Sequence, residues 1–307
     1  RSEQGKITRA ASGVGPGVQV LPNSIFTMYG GSLVDNGCGV SLTGGTFNMY
    51  GGTISNSTVY GGVRATYSMN NQTNAYAGGI FNMYDGSITG NTSNYGGGVF
   101  VDSDSSRSVA AAFYMYGGSI MGNSANTLGY GTGGGVYVNA GATFEVSGDV
   151  TITGNTKDGA KNNVYLPNGA AMTVGALDAD ASIGVTMAER ATVTGVTSGS
   201  ISNLTSDDDQ YTFELDSKGN LVQKEKPAAH AHYLCGGSTC TGAGHTKEES
   251  TTTFTEWKSA DSLPTEAGSY YLTTNVTLKQ SWNPTENITL CLNGKTITAE
   301  DSFDAVQ

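Results

Sequence analysis

The segment FTMYGGSL at Phe26 returns as FNMYGGTI at Phe47, FNMYDGSI at Phe81 and FYMYGGSI at Phe113, and a degenerate fifth copy, FEVSGDVTI, begins at Phe144. Repetition on this scale constrains a chain more than its composition does. A unit of a few residues with one apolar face can bury that face only against a neighbour of the same kind. Two further elements recur in step with the first. CGVSL, GGVRA, GGGVFV, GGGVYV and NNVYL surround Val40, Val63, Val99, Val136 and Val164, and the pattern Ile/Leu-x-x-Asn ends at Asn36, Asn91, Asn123 and Asn155, with ISNS at Ile54 breaking it.

Within each F-x-M-Y copy the alternation has period two, which sends Phe and Met to one face and the intervening residue and Tyr to the other. These are short strands. Joined by Gly and Asn turns and repeated along the chain, they predict an all-β coil of three strands per rung, with identical positions stacked about 4.8 Å apart. Phe26, Phe47, Phe81, Phe113 and Phe144 then form one internal column, and Met28, Met49, Met83, Met115 and Val146 the next. Gly-Gly at 30–31, 51–52 and 117–118 permits positive φ at the corners. The unequal spacing of copies is expected to be absorbed by loops at 66–78, 102–111 and 124–133.

Charge narrows the choice of partners. The chain has 15 Lys plus Arg against 26 Asp plus Glu, a formal net charge of −11, which leaves no basic stripe for nucleic acid or an anionic membrane surface. No apolar run approaches the length of about 18 residues needed to cross a bilayer as a helix, so membrane insertion is not expected.

Past the repeats, YTFELDSKGNLVQKEKP (211–227) reads as a hairpin that caps the coil. There follows HAHYLCGGSTCTGAGH, which holds all three histidines, His230, His232 and His245, with Cys235 and Cys240. Zinc takes four nitrogen or sulfur ligands in a tetrahedron, and this set supplies the right donors on a Gly-rich turn. A Cys235–Cys240 disulfide is the competing possibility. The remaining pair, Cys38 and Cys291, sit in strand-like segments and read as small apolar core residues. A fresh strand pattern then leads to ITLCLNGKTIT (288–298), which looks like the first rung of another coil. The expected organisation is a capped β-helix over 1–227, a His/Cys linker over 228–248 and the N-terminal part of a following module over 249–307.

The pairing of a GG-[VI] strand with an [IL]-x-x-N strand over about residues 20–200 resembles the repeats of polymorphic outer-membrane proteins and of large adhesin-like surface proteins of Gram-positive gut bacteria. That resemblance implies a right-handed parallel β-helix of the pectin-lyase-like type, an extracellular and cell-wall-associated location, and a chain that is a slice of a larger secreted protein. It also implies a structural linker role for the H-x-H-x-x-C-G-G segment. Residues 249–307, with one rung, have little core of their own, and are expected to pack against another copy by head-to-tail self-association.

The expected function is adhesion, the binding of an extracellular glycan or of a host protein such as mucin or immunoglobulin. The candidate contact residues are the outward tyrosines Tyr29, Tyr50, Tyr84 and Tyr116, with Tyr137 on a second outward face beside Phe100 and Tyr165. Rings in line can stack on sugars or anchor a protein partner. They can equally serve only to cover the Gly-Gly corners. A polysaccharide lyase or hydrolase is the enzymatic alternative, because the same fold carries such chemistry. It would need clustered carboxylates with a cation, whereas residues 1–229 hold no histidine and Arg64, Arg107 and Arg190 are scattered. Asp102 and Asp104 have calcium-loop spacing, but Arg107 stands where the turn glycine belongs, so a solvated loop is expected. A stalk with no ligand is the third possibility.

Overall fold

The computed structural model describes residues 5–8, 14–71, 73–126, 133–226, 232–233, 247–248 and 254–300. It divides into two compact units, Arg1–Glu225 and Lys226–Gln307, against the expected boundary at residue 227. Both are all-β, with no α-helix among the described residues, and no helix is long and apolar enough to cross a membrane.

The first unit is dominated by one large parallel sheet that nearly closes on itself in the manner of a parallel β-helix. Three ladders run through it. In the first, Ile25–Met28, Thr46–Met49, Ile80–Met83, the front of Ala112–Met121 and the front of Thr143–Thr153 pair in parallel, placing Phe26, Phe47, Phe81, Phe113 and Phe144 in register. In the second, Ile7, Leu33, Ile54, Ile88, Ile120, Ile152, Ile183 and Leu204 succeed one another in the same way. In the third, Val18, Val40, Val63, Val99, Val136, Val164 and Val185 do so.

The phenylalanine rings stack face to face with centroids 4.7 to 5.1 Å apart. That is the strand spacing itself, so in-register pairing brings each ring onto the next without adjustment. Phe47, Phe81, Phe113 and Phe144 are fully buried. The residue following Phe in each copy faces out, as period two requires. Gly31 and Gly52, the second members of their Gly-Gly pairs, have φ of +84° and +96°, a conformation that costs a residue with a Cβ free energy.

A second, polar column runs beside the isoleucines. The side-chain N–H of Asn91 donates to Asn123 Oδ1 (2.9 Å), that of Asn123 to Asn155 Oδ1 (2.9 Å) and that of Asn155 to Asn163 Oδ1 (3.0 Å). In each case the backbone N–H of the donor residue reaches the same oxygen. The chain ends on Asp207, whose carboxylate accepts from Asn163 Nδ2, the Asn163 backbone and Thr186 Oγ1. An acceptor-only group is the right terminus for a file of amides all pointing one way.

The same column explains the glycines of the second element. A Cβ on Gly62, Gly98 or Gly135 would stand 3.1, 3.1 or 2.7 Å from the Nδ2 of Asn91, Asn123 or Asn155. The glycine leaves the room that the asparagine fills, which is why the two motifs travel together. At the broken copy Ser57 is buried with its hydroxyl unpaired among the described residues, while its backbone N–H still reaches Asn91 Oδ1.

Two segments expected as loops are ordered structure instead. Val63–Asn70 continues past the sheet and returns as the antiparallel strand Ala75–Gly78, because its alternating side chains extend the strand beyond the rung. Within 102–111, Ser103–Asp104 and Val109–Ala110 pair antiparallel around a 3₁₀ turn at Ser105–Arg107. Residues 127–132 of the third segment lie outside the described residues. Tyr211–Leu215 and Leu221–Glu225 form the expected hairpin, and Phe213 and Leu221 join the coil's apolar core.

The second unit repeats the parallel pattern on a small scale. Thr255–Trp257, Gly268–Leu272 and Ile288–Cys291 pair in parallel, as do Val276–Leu278 and Ile297–Ala299. Its core consists of Leu263, Leu272, Val276 and Leu278, with Trp257, Trp282, Leu290 and Ile297 packed against it.

If the asparagine file supports the coil, Asn123→Ala, which strands two donors of Asn91, should lower urea-unfolding stability by about 1–3 kcal/mol. Ser57→Asn, which extends the file opposite Gly39, should raise it by about 1 kcal/mol. Loss of stability in Ser57→Asn together with no change in Asn123→Ala would contradict this role.

Candidate binding surfaces

Three of the four tyrosines that end the F-x-M-Y copies precede a Gly-Gly pair, and Tyr84 precedes Asp85-Gly86. Tyr29, Tyr50, Tyr84 and Tyr116 are 78, 44, 39 and 43% exposed, so the expected external column exists. Its geometry differs from a sugar platform. The rings stack on one another with centroids 5.2, 4.5 and 5.1 Å apart and planes within 19° of parallel. The faces between neighbours are therefore spent on each other, and apart from the outer face of Tyr29 at the end of the column what reaches solvent is a ridge of ring edges and phenolic hydroxyls. Desolvation within this stack, followed by the adjacent Tyr84, raises the Tyr50 phenol above its ordinary range.

Tyr137 belongs elsewhere. It was expected on an accessible outer face, yet it is only 9% exposed. It lies between Phe100 and Tyr165, with centroids 5.4 and 5.9 Å away. All three positions point out of the coil, but consecutive rungs carry large rings there and each covers the next. Desolvation first, then Tyr165 and Asp102, raise its phenol. Tyr137 thus packs within an aromatic stripe and contributes little free surface.

At the head of that stripe, in register with Phe100, stands Arg64. Its guanidinium carbon lies 5.3, 5.7 and 5.9 Å from the ring centroids of Tyr60, Tyr95 and Phe100. This cluster was not foreseen, although a signal was present: Tyr60 and Tyr95 each precede a glycine run that opens a valine strand, in VYGGV and NYGGGV.

The carboxylates of the 102–111 segment are committed to local structure. Asp104 Oδ1 caps the 3₁₀ turn by accepting the N–H groups of Ser106 (2.9 Å) and Arg107 (3.3 Å), and Asp104 Oδ2 pairs with Arg107 Nη1. Asp102 Oδ1 accepts from Ser103 N and Asn139 Nδ2. Both carboxylates meet protein donors, so the segment is an ordered turn where a solvated loop was expected. Among the described residues no group of three His, Cys, Asp or Glu is placed to hold a metal ion.

Of the His/Cys segment, His232 falls in the short strand His232–Tyr233, paired antiparallel with Lys247–Glu248. His230, Cys235, Cys240 and His245 lie outside the described residues. Cys38 is buried and outside any disulfide, and desolvation, partly offset by the nearby Arg64 charge, pushes its thiol up to about 12. Cys38 is a core residue, as expected, whereas Cys291 is only partly buried. Of the Asn-x-Ser/Thr sequences, Asn91 and Asn203 are buried in hydrogen-bonded positions.

Comparisons with protein-family models, with curated proteins and with solved structures found no match for this chain.

Proposed function

We propose that the chain is a module of an extracellular, cell-wall-associated bacterial surface repeat protein that acts in adhesion, binding a glycan or a secreted host protein such as mucin or immunoglobulin. In this reading the first unit is a right-handed β-helix of three strands per turn, and the Tyr211–Glu225 hairpin is its C-terminal cap. The order in which the three ladders recur along the chain supports three strands per turn, and the right hand rests on the resemblance.

The observation that carries the adhesion reading is the tyrosine ridge. Each ring of Tyr50, Tyr84 and Tyr116 leaves about two-fifths of its surface in solvent, over a core whose phenylalanine and methionine columns are already closed. Rigid rings that expose edges and hydroxyls in a line bind with little loss of side-chain freedom. The mutual stacking of their faces favours a second reading, a structural stalk that displays binding parts elsewhere. A polysaccharide-cleaving role draws less support, because Asp104 and Arg107 are tied to each other in their own turn.

The test is a binding screen of the purified chain on an array carrying glycans, mucins and immunoglobulins. Saturable retention on one class is expected, reduced at least about tenfold in Tyr84→Ala/Tyr116→Ala, the loss of two anchoring rings. Silence across the array, or retention unchanged in the double variant, would favour the stalk.

Two partner proposals accompany this one. His230, His232, Cys235, Cys240 and His245 would hold a structural zinc, in competition with a Cys235–Cys240 disulfide. Metal analysis after dialysis should find about one zinc per chain with both thiols titratable after chelation, whereas no metal and no reactive thiols at 235 and 240 would establish the disulfide. Residues 249–307 of one copy would also cap the N-terminal edge of another. Ile7, Ile25 and Tyr29 are 44, 71 and 78% exposed there, and a strand edge left unpaired among the described residues invites added strands. Sedimentation should show concentration-dependent association, and a monomer at all concentrations would overturn it.

A further inference from the structure

Arg64 is an unspent cation. Its Nε is buried without an acceptor, and no carboxylate lies within ion-pair distance of it among the described residues. Lys6, Arg107, Lys161, Lys224 and Lys258, by contrast, each pair with Asp or Glu. Lys157, Arg190, Lys218 and Lys279 also stand outside the ion pairs of the described residues, but only Arg64 combines a buried Nε without an acceptor with three surrounding rings, an arrangement the fold has to build. The register builds it. Arg64 takes the place in the outward stripe that Phe100, Tyr137 and Tyr165 take in later rungs, and the turn residues Tyr60 and Tyr95 bring two more rings beside it.

Aromatic rings hold a guanidinium by its faces and strip water from them, but they accept none of its in-plane hydrogen bonds. The planar fork of Arg matches a carboxylate edge-on and bidentate. Arg64 is half-buried and Tyr60 is 37% exposed, so a ligand that supplies the carboxylate would meet a ring edge and a phenolic hydroxyl beside it. A compact ring carrying one carboxylate and several hydroxyls satisfies each of these groups.

We propose that Arg64, with Tyr60 and Tyr95, binds carboxylated sugars, the sialic or uronic acid units of an acidic glycan. This rests on the adhesion reading and names the ligand class for it. The carboxylate pairs with the two Nη groups of Arg64, since Nε is buried, and the sugar ring lies against Tyr60. The tyrosine ridge is a separate surface on a different ladder and does not depend on Arg64.

Titration of the intact chain with sialyllactose against lactose, and with a glucuronic-acid-terminated disaccharide against its carboxyl-reduced form, tests the site and separates the two sources of the acid. At least one acidic sugar should bind about tenfold or more tighter than its neutral partner, with the preference weakened by added salt. Arg64→Gln should abolish the preference, and Arg64→Lys, which keeps the charge but loses the fork, should restore only part of it. Unfolding midpoints of both variants check the fold, and Tyr60→Ala, an exposed change, should weaken acidic-sugar binding several-fold. Equal binding of acidic and neutral sugars, or a preference that survives Arg64→Gln, would overturn this site while leaving adhesion through the ridge in place. Silence with every sugar and on the array would overturn both.

Discussion

In-register parallel pairing is the constraint on which the rest of this structure depends. When one strand lies on the copy of itself from the previous repeat, every side chain meets its own kind about 4.8 Å away. Flat rings then stack, isoleucines interlock and carboxamides form a file of hydrogen bonds. A one-residue slip would turn every column inside out, so the register is held by all the columns together. Phe81 against Phe113 and Asn91 against Asn123 express the same geometry in apolar and polar form.

This division of labour explains what the surface can do. Because the inner columns are closed by Phe, Met, Ile and Val, the outward residues are free of the core, yet the same pairing still stacks them. For the ridge at Tyr50 and Tyr84 stacking consumes ring faces and leaves edges. For Phe100 and Tyr137 it goes further and removes the residues from solvent. Where the outward position changes character, as at Arg64, a cation heads a column of rings, with Phe100 on one side and Ser41 on the other. A repeat protein acquires a distinct site at such an interruption, since an unbroken column offers a ligand the same surface on every rung.

The fold was legible because periodicity of two and identical copies specify both the strands and their neighbours. The Phe, Met and Val columns fall on the residues that the motifs nominate. The asparagine pattern was visible too, but its continuation through Asn163 to Asp207 was not, since neither stands in an Ile-x-x-Asn context. The strand pair at Val63–Asn70 and Ala75–Gly78 was hidden because irregular spacing between copies reads as loop. The candidate sites were less legible. Period two says that Tyr137 points outward, but only the size of Phe100 and Tyr165 above and below it decides that it is covered. The Arg64 cluster draws residues from turns and strands in different repeats, which no local pattern joins.

Among the buried columns the asparagine file offers the most direct test of the register. Side-chain amide hydrogen exchange followed by NMR resolves each carboxamide. The Nδ2 protons of Asn91, Asn123, Asn155 and Asn163 should exchange at least about a hundredfold more slowly than those of the exposed Asn74, since a buried, bonded amide must wait for the structure to open. Exchange of all five at one fast rate would mean that the file is absent and that the repeats are held together in some other register.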